Sequence, residues 1–302
     1  MNLFALNYVL MIILYETMDL RKVQKSQFNY GNCPPWWRFA MDQVPLEFGG
    51  RNRTYNDIGS GECFIRGCKH DMAKRQATLI LTFRAVRPYL IKPIIVFRAI
   101  PKMKMVDGCV EVDPTQAARL KEKHTYAKGV TVLYQEKAWA DPDVMDFWLK
   151  DFDEQTRDCA LYPISGAEPG QFRAVGMDNH LPQKSPDFRF QCKTRNIFPV
   201  YTPEDCTDLC AVIDDELGNF VKDDMNIQLR SHRESSQMNT NAWADGTITA
   251  AERRRLMTIW LENSCKKLCE TDLITRVFKR CGLCNDIDGR ENDLVRVRKF
   301  PA

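Results

Sequence analysis

Histidine is nearly absent from this sequence, with 4 in 302 residues and none paired at zinc-ligand spacing. A histidine-rich zinc enzyme is thereby excluded. The sequence holds no GxGxxG, GxxxxGK[ST] or GxSxG stretch. Nucleotide binding by a glycine-rich loop and serine hydrolysis therefore have no support. Long apolar runs are missing too. The stretch Phe4–Leu14 falls well short of the ~20 residues that span a bilayer, and it lacks the basic flank and small-residue cleavage site of a signal peptide. No membrane partner is expected. Nor does one sign of charge dominate. The 43 basic and 40 acidic side chains leave a net +3, which neither demands nor excludes a polyanionic partner.

What is present fits a soluble globular chain, 44% hydrophobic and 27% charged. At 302 residues it can bury a core without covalent staples. The 12 cysteines are irregularly spaced, as in a protein of a reducing compartment. One group stands out: Cys281-Gly282-Leu283-Cys284, with Cys265 and Cys269 nearest to it. A four-cysteine zinc site is one reading of these positions, and reduced, partly buried thiols are the plainer one.

Periodicity predicts strands over Trp37–Met41, Arg75–Arg84, Ile91–Phe97, Thr131–Tyr134, Phe172–Met177 and Asn196–Tyr201. The second and third of these are expected to pair antiparallel. A helix opens at Asp141-Pro142, with Val144, Phe147, Trp148 and Phe152 at helical spacing. Thr249 to Cys269 is the strongest helix, with a Thr249/Glu252 cap, and Leu273–Arg280 a shorter one. A short helix is expected over Pro114–Lys123. Residues 179–194 and 223–247 read as polar and irregular. Strands early and helices late suit an α/β mixed sheet with flanking helices, followed by C-terminal helices.

Three acids carry the chemistry. Asp42 closes the first strand, Asp178 closes the strand ending in Val175-Gly176-Met177, and Asp214 sits near a helix start. Carboxylates at strand ends can converge on one rim of a sheet, where they repel each other and are stabilised by a cation. Mg²⁺ or Mn²⁺ favours such hard oxygen ligands. Two such ions, about 3.5–4 Å apart, would serve attack and departure at a phosphodiester. For any single aspartate among 40 acidic residues, a solvated strand cap is the plain alternative.

The order of motifs adds to this. Phe39-Ala40-Met41-Asp42-Gln43-Val44-Pro45-Leu46, Lys74-Arg75-Gln76-Ala77-Thr78-Leu79 and Ile91-Lys92-Pro93-Ile94-Ile95-Val96-Phe97-Arg98 come in sequence. Gln135 to Asp141, Met177-Asp178-Asn179, Ala250-Ala251-Glu252-Arg253-Arg254-Arg255, Cys281-Gly282-Leu283-Cys284 and Asp288-Gly289 follow. Together they resemble the DDE superfamily endonuclease domain of pogo, Tigger and jerky-like transposases, over roughly residues 35–295.

The resemblance implies an RNase-H-like fold and two-metal DNA strand cleavage and transfer. Asp42, Asp178 and Asp214 would be the catalytic and metal-holding residues. Asn179, Asp215 and Glu216 are candidates for supporting roles. It implies DNA as partner, with self-association open, and a nuclear location. The expected organisation is a poorly defined segment 1–34, the DDE-type domain over 35–230 and a helical extension over 231–302. Ala211 and Val212 stand where the family usually has Gln-Pro, and Glu216 where a glycine is common. These departures leave an alternative: a catalytically inactive, domesticated DNA-binding or interaction protein. Lys74, Arg75, Arg253, Arg254 and Arg255 are candidate phosphate contacts, against the plain reading of a solvated basic face.

Overall fold

The structure, a computed structural model, describes residues 37–47, 55–56, 63–64, 75–98, 104–106, 109–111, 122–157, 173–178, 180–202, 211–285 and 294–295. The segment 1–34 with its Phe4–Leu14 stretch, Lys74, Asn179, most of the expected Pro114–Lys123 helix and most of the charged tail lie outside them.

Ten strands are described: β1 Arg38–Glu47, β2 Tyr55–Asn56, β3 Cys63–Phe64, β4 Arg75–Arg84, β5 Ile94–Arg98, β6 Lys104–Val106, β7 Cys109–Glu111, β8 Thr131–Gln135, β9 Arg173–Met177 and β10 Ile197–Tyr201. Six form a mixed sheet in the order β10-β9-β1-β4-β5-β8, while β2–β3 and β6–β7 are separate two-stranded ribbons. β4 runs antiparallel to both β1 and β5. β1–β9, β9–β10 and β5–β8 are parallel pairs. The carboxyl ends of β1, β5, β8, β9 and β10 therefore point to one rim.

The helices are α1 Pro142–Arg157, α2 Leu181–Lys184, α3 Pro186–Thr194, α4 Gly218–Glu234, α5 Gln237–Ala244, α6 Ala250–Glu270 and α7 Leu273–Arg280, with a π-helical turn, Ile213–Leu217, leading into α4. They cover both faces of the sheet. Ala77, Leu79, Leu81 and Phe83 of β4 pack in one core with residues of α4, α6 and α7. Ile80 of the same strand packs in the other with Trp148, Leu149 and Phe152 of α1. Both faces of an interior strand need apolar cover, so β4 is buried along its length from Ala77 to Arg84. Its polar residues find partners: Trp148 Nε1 donates to Thr82 Oγ1 at 3.0 Å, and Thr78 donates to the carbonyl of Ala138. A buried ion pair joins α1 to β9, with Arg173 Nη2 donating to Asp153 Oδ1 at 2.7 Å.

Several expectations are corrected. β1 does not stop at Met41 but continues to Glu47. Pro45 is tolerated because β9 pairs only with Arg38–Ala40, leaving that edge of β1 open beyond. The described part of 179–194 is largely helical, as Leu181–Lys184 and Pro186–Thr194. Pro182 and Pro186 sit in the first turns of α2 and α3, where a missing N–H costs nothing, and Ser185 Oγ caps α3 by accepting from Phe188 N at 3.2 Å. Residues 223–247 are helical as well, for Met225, Leu229 and Trp243 form an apolar stripe within a polar sequence. Helix α4 runs across residue 230, and Leu229, Trp243 and Trp260 share the core of the sheet. The C-terminal helices are thus a layer of the same body.

Candidate active site

Strand register brings the first two aspartates together. β1 and β9 are parallel, with Ala40 opposite Gly176. Two residues further along each chain stand Asp42 and Asp178, the latter directly after the end of β9. Asp42 is therefore not at the end of its strand, as the sequence suggested; it lies where its parallel neighbour ends.

The third aspartate arrives from above the sheet. Ala40 and Val44 belong to the core under the C-terminal helices. Strand alternation turns Asp42, midway between them, to that same side. The π-helical turn carrying Asp214 packs there. Gly218 permits the approach: a Cβ on it would stand 3.1 Å from Val44 Cγ2 and 3.1 Å from the carbonyl oxygen of Ile213. Its φ of −65° is ordinary for a helix, so space and not backbone freedom is what the glycine supplies.

Asp42 is only 7% exposed. Its Oδ1 accepts from Gln43 N at 2.6 Å, while its Oδ2 is buried without a hydrogen-bond partner. Burial, then the charge of Asp214 and that of Asp178, raises the Asp42 carboxyl well above the usual carboxylate range, against the lowering effect of the Gln43 N–H. Asp214 is raised too, by desolvation of its carboxyl and by the charge of Asp178, while Asp42 and the nearby Lys222 act the other way. Two ionised carboxylates cannot donate to each other. A shared proton or a cation would relieve the repulsion between Asp42 and Asp214. The three aspartates form one electrostatic unit beside a cleft lined by Met41, Asp42, Asp178, Thr202, Val212 and Leu283.

In chemistry the donors suit a hard divalent cation, since all are carboxylate oxygens and one of them, Asp42 Oδ2, is buried and unpartnered. In spacing they are looser. Among the described residues no group of three or more His, Cys, Asp and Glu side chains is gathered closely enough to hold a metal ion.

A family model described as DDE superfamily endonuclease matches residues 74–262, more than half of the chain. The chain belongs to the DDE endonuclease superfamily. The matched span contains Asp178 and Asp214, and Asp42 precedes it. No curated protein matches the chain.

The other candidate residues of this DDE chain fall into place variously. Glu216 pairs with Arg280 of α7 at 2.9 Å. The backbone of Asp215 lies in the π-helical turn, and that of Arg75 pairs with Glu47 at the start of β4. On α6, Arg254 forks onto Glu122, with contacts of 2.8 and 3.0 Å, and Arg255 pairs with Glu252 at 2.6 Å. Arg254 and Arg255 are thus paired with carboxylates of the chain itself. Cys192, Cys265, Cys269, Cys281 and Cys284 are joined in no disulfide among the described residues. Burial pushes the Cys192 thiol up to about 12 and Cys269 to about 11, so neither is a ready thiolate at neutral pH.

Sequence reasoning missed Gly218, Arg280 and Leu283. Gly218 follows directly after the apolar Leu217, yet nothing in its local pattern shows that Val44 stands over it. The Lys279-Arg280-Cys281-Gly282 run does carry a helix-stop signal, basic residues and then glycine. That signal accounts for the stop and not for what the turn touches.

Proposed function

We propose that this DDE superfamily member is a transposase-derived enzyme that cleaves or transfers DNA strands in the nucleus, using Mg²⁺ or Mn²⁺ held by Asp42, Asp178 and Asp214. The observation that supports the reading is that Asp42 and Asp178 line one cleft at the carboxyl-end rim, where ligands of open α/β sheets bind, with the charge of Asp214 acting on Asp42. The mixed sheet with helices on both faces supports an RNase-H-like assignment.

When bound, such ions supply charge neutralisation at the phosphodiester and an activated water or 3′-hydroxyl. The chain's own part is positioning. Asp42 is fixed by the Gln43 N–H and by its place in a sheet strand, so its free oxygen has a set direction. Asp178 leaves the sheet at the end of β9, which the Arg173–Asp153 pair anchors to α1. Asp214 sits on a π-helical turn, a form that recurs at functional sites. Leu283 and Val212 close the cleft with apolar surface.

The test is nicking of supercoiled DNA by the purified protein in Mg²⁺ or Mn²⁺, set against Asp178→Asn. Loss of one carboxylate is expected to lower the rate by about 10²-fold or more. Equal nicking by the two proteins contradicts the proposal. The loose carboxylate spacing favours a second reading, a non-catalytic DNA-binding descendant. DNA binding with no metal-dependent nicking would select it.

A further inference from the structure

The end of α7 and the turn after it touch β1, β9 and the π-helical turn, the elements that position Asp42, Asp178 and Asp214. Helix α7 ends in a Schellman-type stop: Gly282 N donates to the Lys279 carbonyl at 3.0 Å and Leu283 N to the Phe278 carbonyl at 2.9 Å. Gly282 has φ +77°, a conformation that disfavours any residue with a Cβ. The Cys-Gly-Leu-Cys run therefore aims Leu283 back into the fold. Leu283 stands over β9, where a Cβ on Gly176 would lie 3.0 Å from Leu283 Cδ1. Arg38, at the start of β1, donates from Nη1 to the carbonyls of Leu283 at 3.4 Å and Asn285 at 3.2 Å. On the other side, Arg280 Nη1 donates to Glu216 Oε1 at 2.9 Å, two residues beyond Asp214.

We propose that residues 280–285 form a positioning clamp that sets the separation of the three carboxylates, with Arg280 placing Asp214 through Glu216. The proposal rests on the reading of the site as a divalent-metal site. β1 and β9 share a hydrogen-bonded ladder over Arg38–Ala40 and Ala174–Gly176, which sets the register of Asp42 and Asp178 two residues beyond it. The π-helical turn meets β1 through side-chain packing at Val44 and Gly218. Packing is weakly directional, and the charge-assisted bond from Arg280 supplies a direction. Both side chains are partly shielded, 20% and 32% exposed, so water screens the pair less than a surface one. Arg280 is a positioning residue, because its contact with the acids runs through Glu216.

The experiment compares wild type, Arg280→Ala and Arg280→Lys in two measurements on the full chain. One is Mn²⁺ affinity, read from the paramagnetic resonance signal of the free ion. The other is amide hydrogen exchange of residues 211–217, with the amides of α6 as internal reference. Arg280→Ala is expected to weaken Mn²⁺ binding about tenfold and to speed exchange in 211–217 while α6 stays protected. Arg280→Lys, which keeps one charged donor, should recover most of both. Wild-type exchange in Arg280→Ala, or exchange rising equally in α6, overturns the clamp. If the wild type binds no Mn²⁺, the metal-site reading fails by itself. The exchange result then still decides the clamp: local loss of protection supports it, and unchanged protection overturns it.

Discussion

Asp42 holds its carboxylate at 7% exposure with one oxygen bound to the Gln43 N–H and the other without a partner, under the charges of Asp214 and Asp178. Its folded pKa is raised above the ordinary value of 3.8. A group raised in this way contributes stability that is complete below the unfolded pKa and is lost as pH rises through the folded one. The charge at position 42 is thus a destabilising element of the metal-free protein at neutral pH. Asp42→Asn removes that charge, and its amide can donate to Asp214. We expect the variant, in chelator at pH 7, to be more stable than wild type. The difference should vanish as pH falls below about 4. Paired urea denaturation at the two pH values checks this, and an Asn variant less stable at pH 7 would contradict it. At this scale the sequence singled out three acids by their place after apolar runs or near a helix start, and the structure moves Asp42 into the middle of its strand. Which oxygen lacks a partner depends on the side-chain packing around it, and no local pattern encodes that.

At the scale of elements, strands with clear alternation or dense β-branched content were legible, as β4, β5, β8, β9 and β10 show. Helices with an obvious cap and stripe were legible too, notably α1, whose Val144 N–H is capped by Asp141 at 3.0 Å, and α6, capped by Thr249. The segments missed were those in which proline or polar residues hid a start signal or a narrow stripe, as in α2, α3 and the far half of α4. The approach of the π-helical turn to β1 was not legible, since Val44 and Gly218 are distant in sequence. It makes a sharp prediction. In an open helix Gly218→Ala would add about 1 kcal/mol of stability through propensity. Here the new Cβ would meet a methyl of Val44 and a backbone oxygen, each at 3.1 Å, and overpacking of this kind costs about 1–3 kcal/mol. The variant is expected to be destabilised in equilibrium denaturation and to nick DNA more slowly. A stabilised, fully active Gly218→Ala would show that the turn does not press on β1.

For the molecule as a whole, the three-layer arrangement puts the acids where β1 loses its parallel partner and where the layer of C-terminal helices begins. Composition and motif order made the α/β class and the superfamily legible. They did not reveal that the C-terminal helices complete the sheet's core, because that depends on pairings between distant segments. The account stands on the three carboxylates acting together on a divalent cation. Its most direct test is calorimetric titration of Mn²⁺ into the purified protein, in two buffers of different ionisation enthalpy, for wild type and Asp42→Asn. The wild type should bind Mn²⁺ and release a proton from the Asp42–Asp214 pair as it does so, and the variant should bind at least about tenfold more weakly with that release abolished. Binding that is indifferent to the loss of Asp42, or no binding by the wild type, would contradict the account.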